Sequence, residues 1–370
     1  MNNLQRIKVI HNPNYKPSGI KSYVYLLRKF NFGPTVEGPY FMANRLHQQG
    51  KHGHHKQGTT GEVGADDQQN DSMYLCLVQT GTPAQTLNLD FDTGSSDLWV
   101  WSTELDQSTQ SSGSGSHNIF DSSKSSTYKK IQYGDSSTAS GDVSIDNVTI
   151  GGLTIKNQAI ELAGTLSSQF QQSSGDGLLG LAWGSINTVK PTSVATPIEN
   201  MISQQDIPRN AELFTAYLGS WRDANEADRG ESFYTFGFID RDAIKAAVDN
   251  SQGFWQFASI SASVNGKTID RSGNTAIADT GTTLALVDDA TCKAIYDEIP
   301  GSKYDSNQQG YVFPTNTTAD QLPVVTFAVG DKQFAVQKED LAFAGAGNGM
   351  VYGGIQSRGS LTLTSSAILS

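Results

Sequence analysis

Leu89-Asp90-Phe91-Asp92-Thr93-Gly94-Ser95-Ser96-Asp97-Leu98-Trp99-Val100 carries an apolar run into an acidic turn and out into a second apolar run. The apolar residues before Asp92 and the β-prone residues after Asp97 predict two strands joined through the turn, with the Asp92 carboxylate held on rigid shoulders. The device returns 187 residues later, as Thr275-Ala276-Ile277-Ala278-Asp279-Thr280-Gly281-Thr282-Thr283-Leu284-Ala285-Leu286-Val287. In each copy the glycine, Gly94 or Gly281, permits a tight turn. The hydroxyls of Thr93, Ser95, Thr280 and Thr282 can hold backbone and carboxylate oxygens without adding charge. A lone Asp-Thr-Gly is ordinary turn chemistry. Two copies between β-rich runs predict two related lobes, each contributing one carboxyl group.

The rest of the composition fits that reading. A chain of 370 residues, 37% hydrophobic and only 17% charged, has room for two sizeable cores. No apolar run reaches the roughly 18 residues of a membrane span. Met1 to Gln49 lacks the short basic start, apolar centre and small-residue cleavage site of a secretory signal, so a start placed too late is expected if the protein is exported. Residues 1–60 hold nine Lys or Arg against the single acid Glu37, a net +8, whereas the remaining 310 residues hold 17 bases against 36 acids, a net −19. Charges of opposite sign on that scale point to an intramolecular partner. The basic residues are scattered and no folded basic face accompanies them, so no nucleic-acid partner is expected. His52, His54 and His55 read as a solvated loop, since Cys or carboxylate ligands are absent nearby, and no metal or other cofactor is expected. Sequons at Asn70, Asn147 and Asn316 are available for glycosylation in an exported protein.

In chain order, residues 1–62 read as a basic leader with one helical piece, Gly19 to Phe30, in which Tyr23, Leu26, Leu27 and Phe30 recur at helical spacing. After a polar linker, short apolar runs broken every 8 to 15 residues by Gly, Ser, Asn and Asp describe an all-β protein. Strands are predicted at 73–79, 85–91, 97–101, 143–150, 153–162, 255–264, 275–287 and 322–336. Helices are predicted at 197–204, 240–248 and 288–298. The Ser-rich stretch 108–116 is predicted to be a surface loop. The domain boundaries that follow are 1–62 for the leader, 63–240 for an N-terminal β lobe and 241–370 for a C-terminal β lobe.

Two carboxyl groups a few ångströms apart cannot easily both ionise, so a proton is shared between them over a broad pH range. Such a pair supplies a base to activate water and an acid to hydrogen-bond a carbonyl, which is the chemistry of amide hydrolysis in acid without a covalent intermediate. At this point the residues resemble a family. Phe91 to Val100 and Ala278 to Leu284 are similar to the paired signatures of the pepsin-like aspartic proteases, peptidase family A1, and within them to secreted fungal acid proteases of the aspergillopepsin and penicillopepsin type. The resemblance implies a bilobal all-β fold and an aspartic endopeptidase made as a zymogen and secreted. It makes Asp92 and Asp279 the catalytic pair, oriented by Thr93, Gly94, Ser95, Thr280, Gly281 and Thr282. Tyr133-Gly134-Asp135 resembles the tip of the family's flap, with Ser136 in place of the usual glycine, and Trp99 matches the residue whose indole holds the flap tyrosine. Phe170 and the segment Asp176 to Trp183, which includes Leu178, resemble the first lobe's substrate pocket and its supporting strand. The implied partners are polypeptide substrates in a cleft between the lobes and the chain's own propeptide as inhibitor, with Lys29 a candidate partner of the carboxyl pair. A monomer free of membranes is expected.

Two departures stand against the resemblance. The family repeats its supporting strand in the second lobe as Phe-Asp-Ile-Leu-Gly-Asp-Thr-Phe, whereas this chain reads Leu363-Thr364-Ser365-Ser366-Ala367-Ile368-Leu369-Ser370. Codons for that tail can be chosen so that regrouping them from one nucleotide upstream spells the family motif, which suggests a shifted frame. The expectation is then a truncated second lobe with no strand beneath Asp279, and as an alternative an inactive relative that at most binds peptides. The cysteine often paired near Cys292 is also missing, Thr315 standing where its partner would be, so Cys292 is expected as a free thiol.

Overall fold

The computed structural model describes residues 7–10, 18–30, 32–36, 74–113, 117–130, 141–166, 170–171, 174–218, 232–238, 248–359 and 366–369. Of 7–10, Arg28, Lys130 and 366–369 it describes the backbone alone. The chain divides into two compact units. The first is built on residues 67–245 with 250–254 and the strand Ile7–Ile10, and the second on residues from 255 onward with residues 18–36 and 248–249. The basic leader is thus shared between the units.

Strands dominate. The first unit holds β1 (Ile7–Ile10), β2 (Leu75–Thr80), β3 (Gln85–Asp92), β4 (Leu98–Val100), β5 (Lys129–Lys130), β6 (Gly141–Ile150), β7 (Leu153–Ala163), β8 (Gly177–Gly180), β9 (Phe214–Tyr217) and β10 (Phe233–Phe236). They form one sheet in the order β5-β6-β7-β4-β8-β3-β2-β1-β10-β9, and β6 also pairs with β2. That extra pairing closes β6-β7-β4-β8-β3-β2 into a ring, so these strands leave no free edge between them. The inward residues Leu87, Leu89, Phe91, Val100, Ile150, Ile160, Leu162 and Leu179 are fully buried in one cluster. Each contributes about 1.5–3 kcal/mol by leaving water. Period-2 burial is clean only where one face meets solvent. In β3 the last four residues, Leu89 to Asp92, are all buried, because neighbouring strands and the covering loop enclose both faces there.

The second unit holds β11 (Gln256–Ala258), β12 (Ser261–Val264), β13 (Lys267–Asp270), β14 (Thr275–Ala278), β15 (Ala285–Val287), β16 (Lys303–Asp305), β17 (Gly310–Pro314), β18 (Val325–Val329), β19 (Lys332–Ala335), β20 (Ala342–Gly347), β21 (Met350–Gly353), β22 (Ile355–Ser357) and β23 (Ser366–Leu369). They form three sheets, β11-β14-β23-β15-β22, β13-β12-β18-β19 and β16-β17-β21-β20. The predicted strands at 255–264, 275–287 and 322–336 are each two strands, broken at Ser259–Ile260 in the first and by turns in the other two. Asn265 and Gly266, at positive φ, turn β12 into β13, and Gly330 does the same between β18 and β19.

The helices among the described residues are α1 (Gly19–Lys29), α2 (Gln107–Gly113), α3 (Pro197–Ser203) and α4 (Asp289–Asp297). The predictions at 197–204 and 288–298 match α3 and α4. Thr196 and Glu199 close a capping box with Pro197 inside it, and the Asp288 carboxylate accepts the Thr291 N–H at 2.8 Å. Residues 240–247 of the third predicted helix lie outside the described residues, and Val248 is not helical. Of the predicted surface loop 108–116, residues 108–113 are corrected to a helix, α2, that stays largely at the surface, and 114–116 lie outside the described residues. Asp106 caps it by accepting the N–H groups of Ser108 and Thr109 at 2.9 and 3.0 Å, which supplies the nucleus that poor helix formers lack. Gly113 ends it against the Trp101 indole, where a Cβ would lie 2.4 Å from the ring.

The expectation of a missing strand beneath Asp279 is also corrected. β23 pairs in parallel with β14, from Thr275↔Ser366 to Ala278↔Leu369, and antiparallel with β15 at Leu286↔Ile368. A ladder needs only backbone N–H and C=O groups, which any segment free of proline supplies, so a tail unlike the family motif can still fill the slot.

Candidate active site

In the first unit β3 ends on Asp92, which is only 2% exposed. The Gly94 N–H donates to its Oδ1 at 2.8 Å, and that bond turns the chain. β8 lies beneath the turn, with Asp92 opposite Gly180 in parallel register and Leu98 opposite Leu179 in antiparallel register. The Leu181 N–H donates to the Asp92 carbonyl at 2.8 Å, the Gly180 N–H to the Asp97 carbonyl at 2.9 Å, and the Ala182 N–H to the Ser95 carbonyl at 2.8 Å. Gly180 makes this approach possible. A Cβ there would stand 2.6 Å from the Ser96 Cα and 2.7 Å from the Asp97 nitrogen, both backbone atoms that cannot yield alone. At the far end of the turn the Asp97 carboxylate accepts the Asn187 Nδ2 at 2.7 Å, the Thr188 N–H at 2.8 Å and the Thr188 hydroxyl at 2.7 Å. Thr93 is buried within the turn.

The second unit repeats this arrangement around Asp279, also 2% exposed. The Gly281 N–H donates to Oδ1 at 3.0 Å, and the Thr282 hydroxyl donates to Oδ2. β14 leads into the aspartate, anchored by the Ala278 N–H on the Trp255 carbonyl at 2.9 Å. Thr280 and Gly281 are half-buried in the turn. The Lys29 ammonium, at the end of α1, lies 3.1 Å from Asp279 Oδ2 and 3.4 Å from Oδ1. The helix reaches that point because Tyr23, Leu26 and Leu27 are buried with Leu284, Leu286, Val312 and Tyr352. The Tyr23 hydroxyl also donates to the Ser357 carbonyl at 2.7 Å. At the start of α1, Gly19 rests on the Tyr352 ring, which a Cβ would overlap.

The two hydroxyls expected to orient the carboxylates behave differently. Thr282 holds Asp279. The Ser95 hydroxyl is buried and makes no hydrogen bond among the described residues. Thr282 is branched at Cβ and its χ1 is stiff, whereas serine has three open wells and nothing here selects the one that faces Asp92.

Among the expected substrate-binding residues, Trp99 and Phe170 meet edge to face with ring centroids 4.7 Å apart, and Leu178 lies opposite Trp99 in the β4–β8 register. All three are half-buried on the first unit. Tyr133, Gly134 and Asp135 lie outside the described residues. Cys76 and Cys292 are both free and buried, and burial pushes both thiols well up from their usual range. No cluster of His, Cys, Asp or Glu able to hold a metal occurs among the described residues, and none of their helices is long and apolar enough to cross a membrane. Sequence reading missed Glu161, half-buried in β7 opposite Trp99 with its Oε1 shut away from solvent. The available signal was a charge inside the run Ala159-Ile160-Glu161-Leu162-Ala163, where every neighbour is apolar.

Comparison with known proteins adds to this geometry. Residues 73–365 match the family described as eukaryotic aspartyl protease. The chain is 38% identical to endothiapepsin of Cryphonectria parasitica over 365 residues, covering 95% of this chain and 81% of that protein. It is 41% identical to aspergillopepsin-1 of Aspergillus pseudoglaucus over 310 residues, 80% of this chain and 74% of that protein. Against aspergillopepsin-1 of Aspergillus fumigatus the identity is 42% over 316 residues, 82% of this chain and 75% of that protein.

Proposed function

We propose, from the premise that this chain belongs to the eukaryotic aspartyl protease family and is an endopeptidase of the pepsin type, that Asp92 and Asp279 act as one acid-working pair and that the protein is made as a zymogen. In the proposed reaction the ionised member of the pair takes a proton from a water molecule as that water attacks the scissile carbonyl. The protonated member donates to the carbonyl oxygen, and the collapse of the tetrahedral intermediate returns a proton to the leaving amine. The Gly94 and Gly281 N–H groups fix the direction of each carboxyl group without supplying a counter-charge, so either can carry the shared proton. Trp99, Phe170 and Leu178 offer apolar surface for a large side chain of a polypeptide substrate, and Tyr133 to Asp135 would close over it as a flap.

The observation that carries the zymogen reading is the Lys29–Asp279 ion pair. A carboxylate paired with an ammonium cannot share its proton, so the leader holds the pair inactive while both groups are charged. Protonation of carboxylates in acid removes that hold and weakens the attraction of the +8 leader for the −19 remainder. Secretion and a monomeric state belong to the same proposal. The exposed Asn316 in an Asn-Thr-Thr sequon is compatible with export.

The test is to acidify the purified full-length protein, follow its own shortening, and assay cleavage of a denatured substrate with and without a pepstatin-type transition-state mimic. Inhibitor-sensitive cleavage at pH 3 to 5, appearing after loss of the leader, is expected. Cleavage that the inhibitor leaves untouched, or none at all, would overturn the reading.

A further inference from the structure

Glu161 sits in the middle of β7 with strands on both sides. It pairs with Val143 of β6 and, in parallel register, with Trp99 of β4. Residues two apart on a strand share a face, so Ala159 and Ala163 flank it on its own strand, and Gly141 and Ile145 flank Val143 across the ladder. Val143, Ala159 and Val189 form a buried apolar cluster there, with Ile145 and Val194 against it. Asp142 pairs with Leu162 and so lies on the other face. From the turn before β4 comes Asp97, two residues from Trp99 and within hydrogen-bonding reach of the Glu161 carboxyl. Val189 packs with Val143 and Ala159, and Thr188 is bonded to Asp97; neither is charged. Among the described residues, then, Asp97 is the charged group that faces Glu161. One oxygen of the Glu161 carboxyl, Oε1, is buried with no hydrogen-bond partner.

This juxtaposition lies at the root of the catalytic turn. Asp97 closes the loop that begins at Asp92, and its carbonyl receives the Gly180 N–H that ties the loop to β8. Asp97 already accepts three hydrogen bonds from Asn187 and Thr188, so it is fixed in place. A neutral Glu161 can donate its proton to that carboxylate. An ionised Glu161 puts a second negative charge beside Asp97 with its Oε1 shut away from solvent and without a donor, where repulsion is less screened than at the surface.

We propose that Glu161 is a proton-controlled positioning residue for Asp92, bracing the Asp92–Asp97 loop when protonated and forcing it apart from β7 when ionised, and that it sets the upper pH limit of the hydrolysis. The inference rests on the proposed function for its activity arm only. Burial first, and the charge of Asp97 second, push the Glu161 carboxyl up to about 8. Its unfolded value is about 4.3. A raised carboxyl pKa means that the folded first unit keeps a proton that the unfolded chain loses. The resulting stability is fully present below about pH 4 and drains as pH rises toward 8, with the unfolding equilibrium constant growing up to about tenfold per pH unit in that window.

Glu161→Gln keeps the shape and a donor but cannot ionise. At pH 4 its kcat is expected to match the parent, while the basic limb of kcat/KM moves up by at least about one pH unit. The urea midpoint of the first unit, followed by fluorescence of Trp99 and Trp101, is expected to fall less between pH 4.5 and 7.5 than in the parent. A carbon-13 titration of the Glu161 carboxyl in the unsubstituted protein gives an answer even if the variant does not fold, with a midpoint above pH 6.5 expected. Activity and stability curves that coincide for variant and parent, or a carboxyl midpoint below pH 5, would overturn the brace. The fluorescence and titration arms need no catalysis. If no cleavage appears at any pH while both arms follow the expectation, the brace stands and the proposed function fails.

Discussion

The turn around Asp92 and the turn around Asp279 use one backbone plan and fill it differently. Each aspartate ends a strand, takes the N–H of the glycine two residues on, and rests above a strand that runs parallel to its own and antiparallel to the strand that follows. The filling diverges at two places. Beneath Asp92 lies Gly177–Gly180, whose last glycine admits the turn at backbone contact, whereas beside β14 lies Ser366–Leu369, with no glycine in it. Asp279 has a threonine hydroxyl on its carboxylate, whereas the matching serine near Asp92 holds nothing among the described residues. The comparison teaches that the backbone geometry of a carboxylate turn can be kept while the groups that tune the carboxylate are distributed unequally between the two copies.

The largest expected effect is at Lys29, whose ammonium sits on the Asp279 turn. Lys29→Met removes one partner of a pair whose other side chain is wholly buried, which costs about 3–5 kcal/mol of leader docking. Leader release followed by gel shift at pH 7 should then run far faster than in the parent, and an unchanged rate would separate the ion pair from latency. Next comes Gly180→Ala, where the added methyl must push backbone atoms. A loss of about 1–3 kcal/mol is expected in the first unit, read from the urea midpoint of its tryptophan fluorescence. Thr282→Ala should lower kcat about ten- to a hundredfold, since a hydrogen bond to a charged group contributes about 1.5–3 kcal/mol. The smallest effect belongs to Ser95→Ala. It discards a buried hydroxyl with no partner, so kcat and stability should both stay within about 0.5 kcal/mol of the parent. Equal losses at Thr282 and Ser95 would erase the distinction between the two turns.

Much of this was legible in the chain because local rules and tertiary structure agree. The apolar run ending at Asp92, the Gly at position i+2 of each acidic turn and the Thr196–Glu199 capping box each dictate one conformation. The Tyr23, Leu26, Leu27 spacing likewise gave α1 and placed Lys29 at its end. What stayed hidden was set by long-range packing. Ser366-Ala367-Ile368-Leu369 has little β propensity as a segment and becomes a central strand because β14 and β15 offer it two ladders. The helix at Gln107–Gly113 depends on one cap, Asp106, outweighing a run of serines. Glu161 broke an apolar run, a local conflict that marked it as unusual, but only the register of β7 against β4 brings it to Asp97.

The central claim is that the two turns serve one reaction. Asp92→Asn, Asp279→Asn and the double variant, each with its leader removed by the same means, test it through kcat/KM on one peptide in acid. Each single change should cost at least about a hundredfold, and the double variant should be no worse than the poorer single. Losses that multiply in the double variant, or a single variant that keeps its rate, would show two carboxylates working apart and would contradict the account.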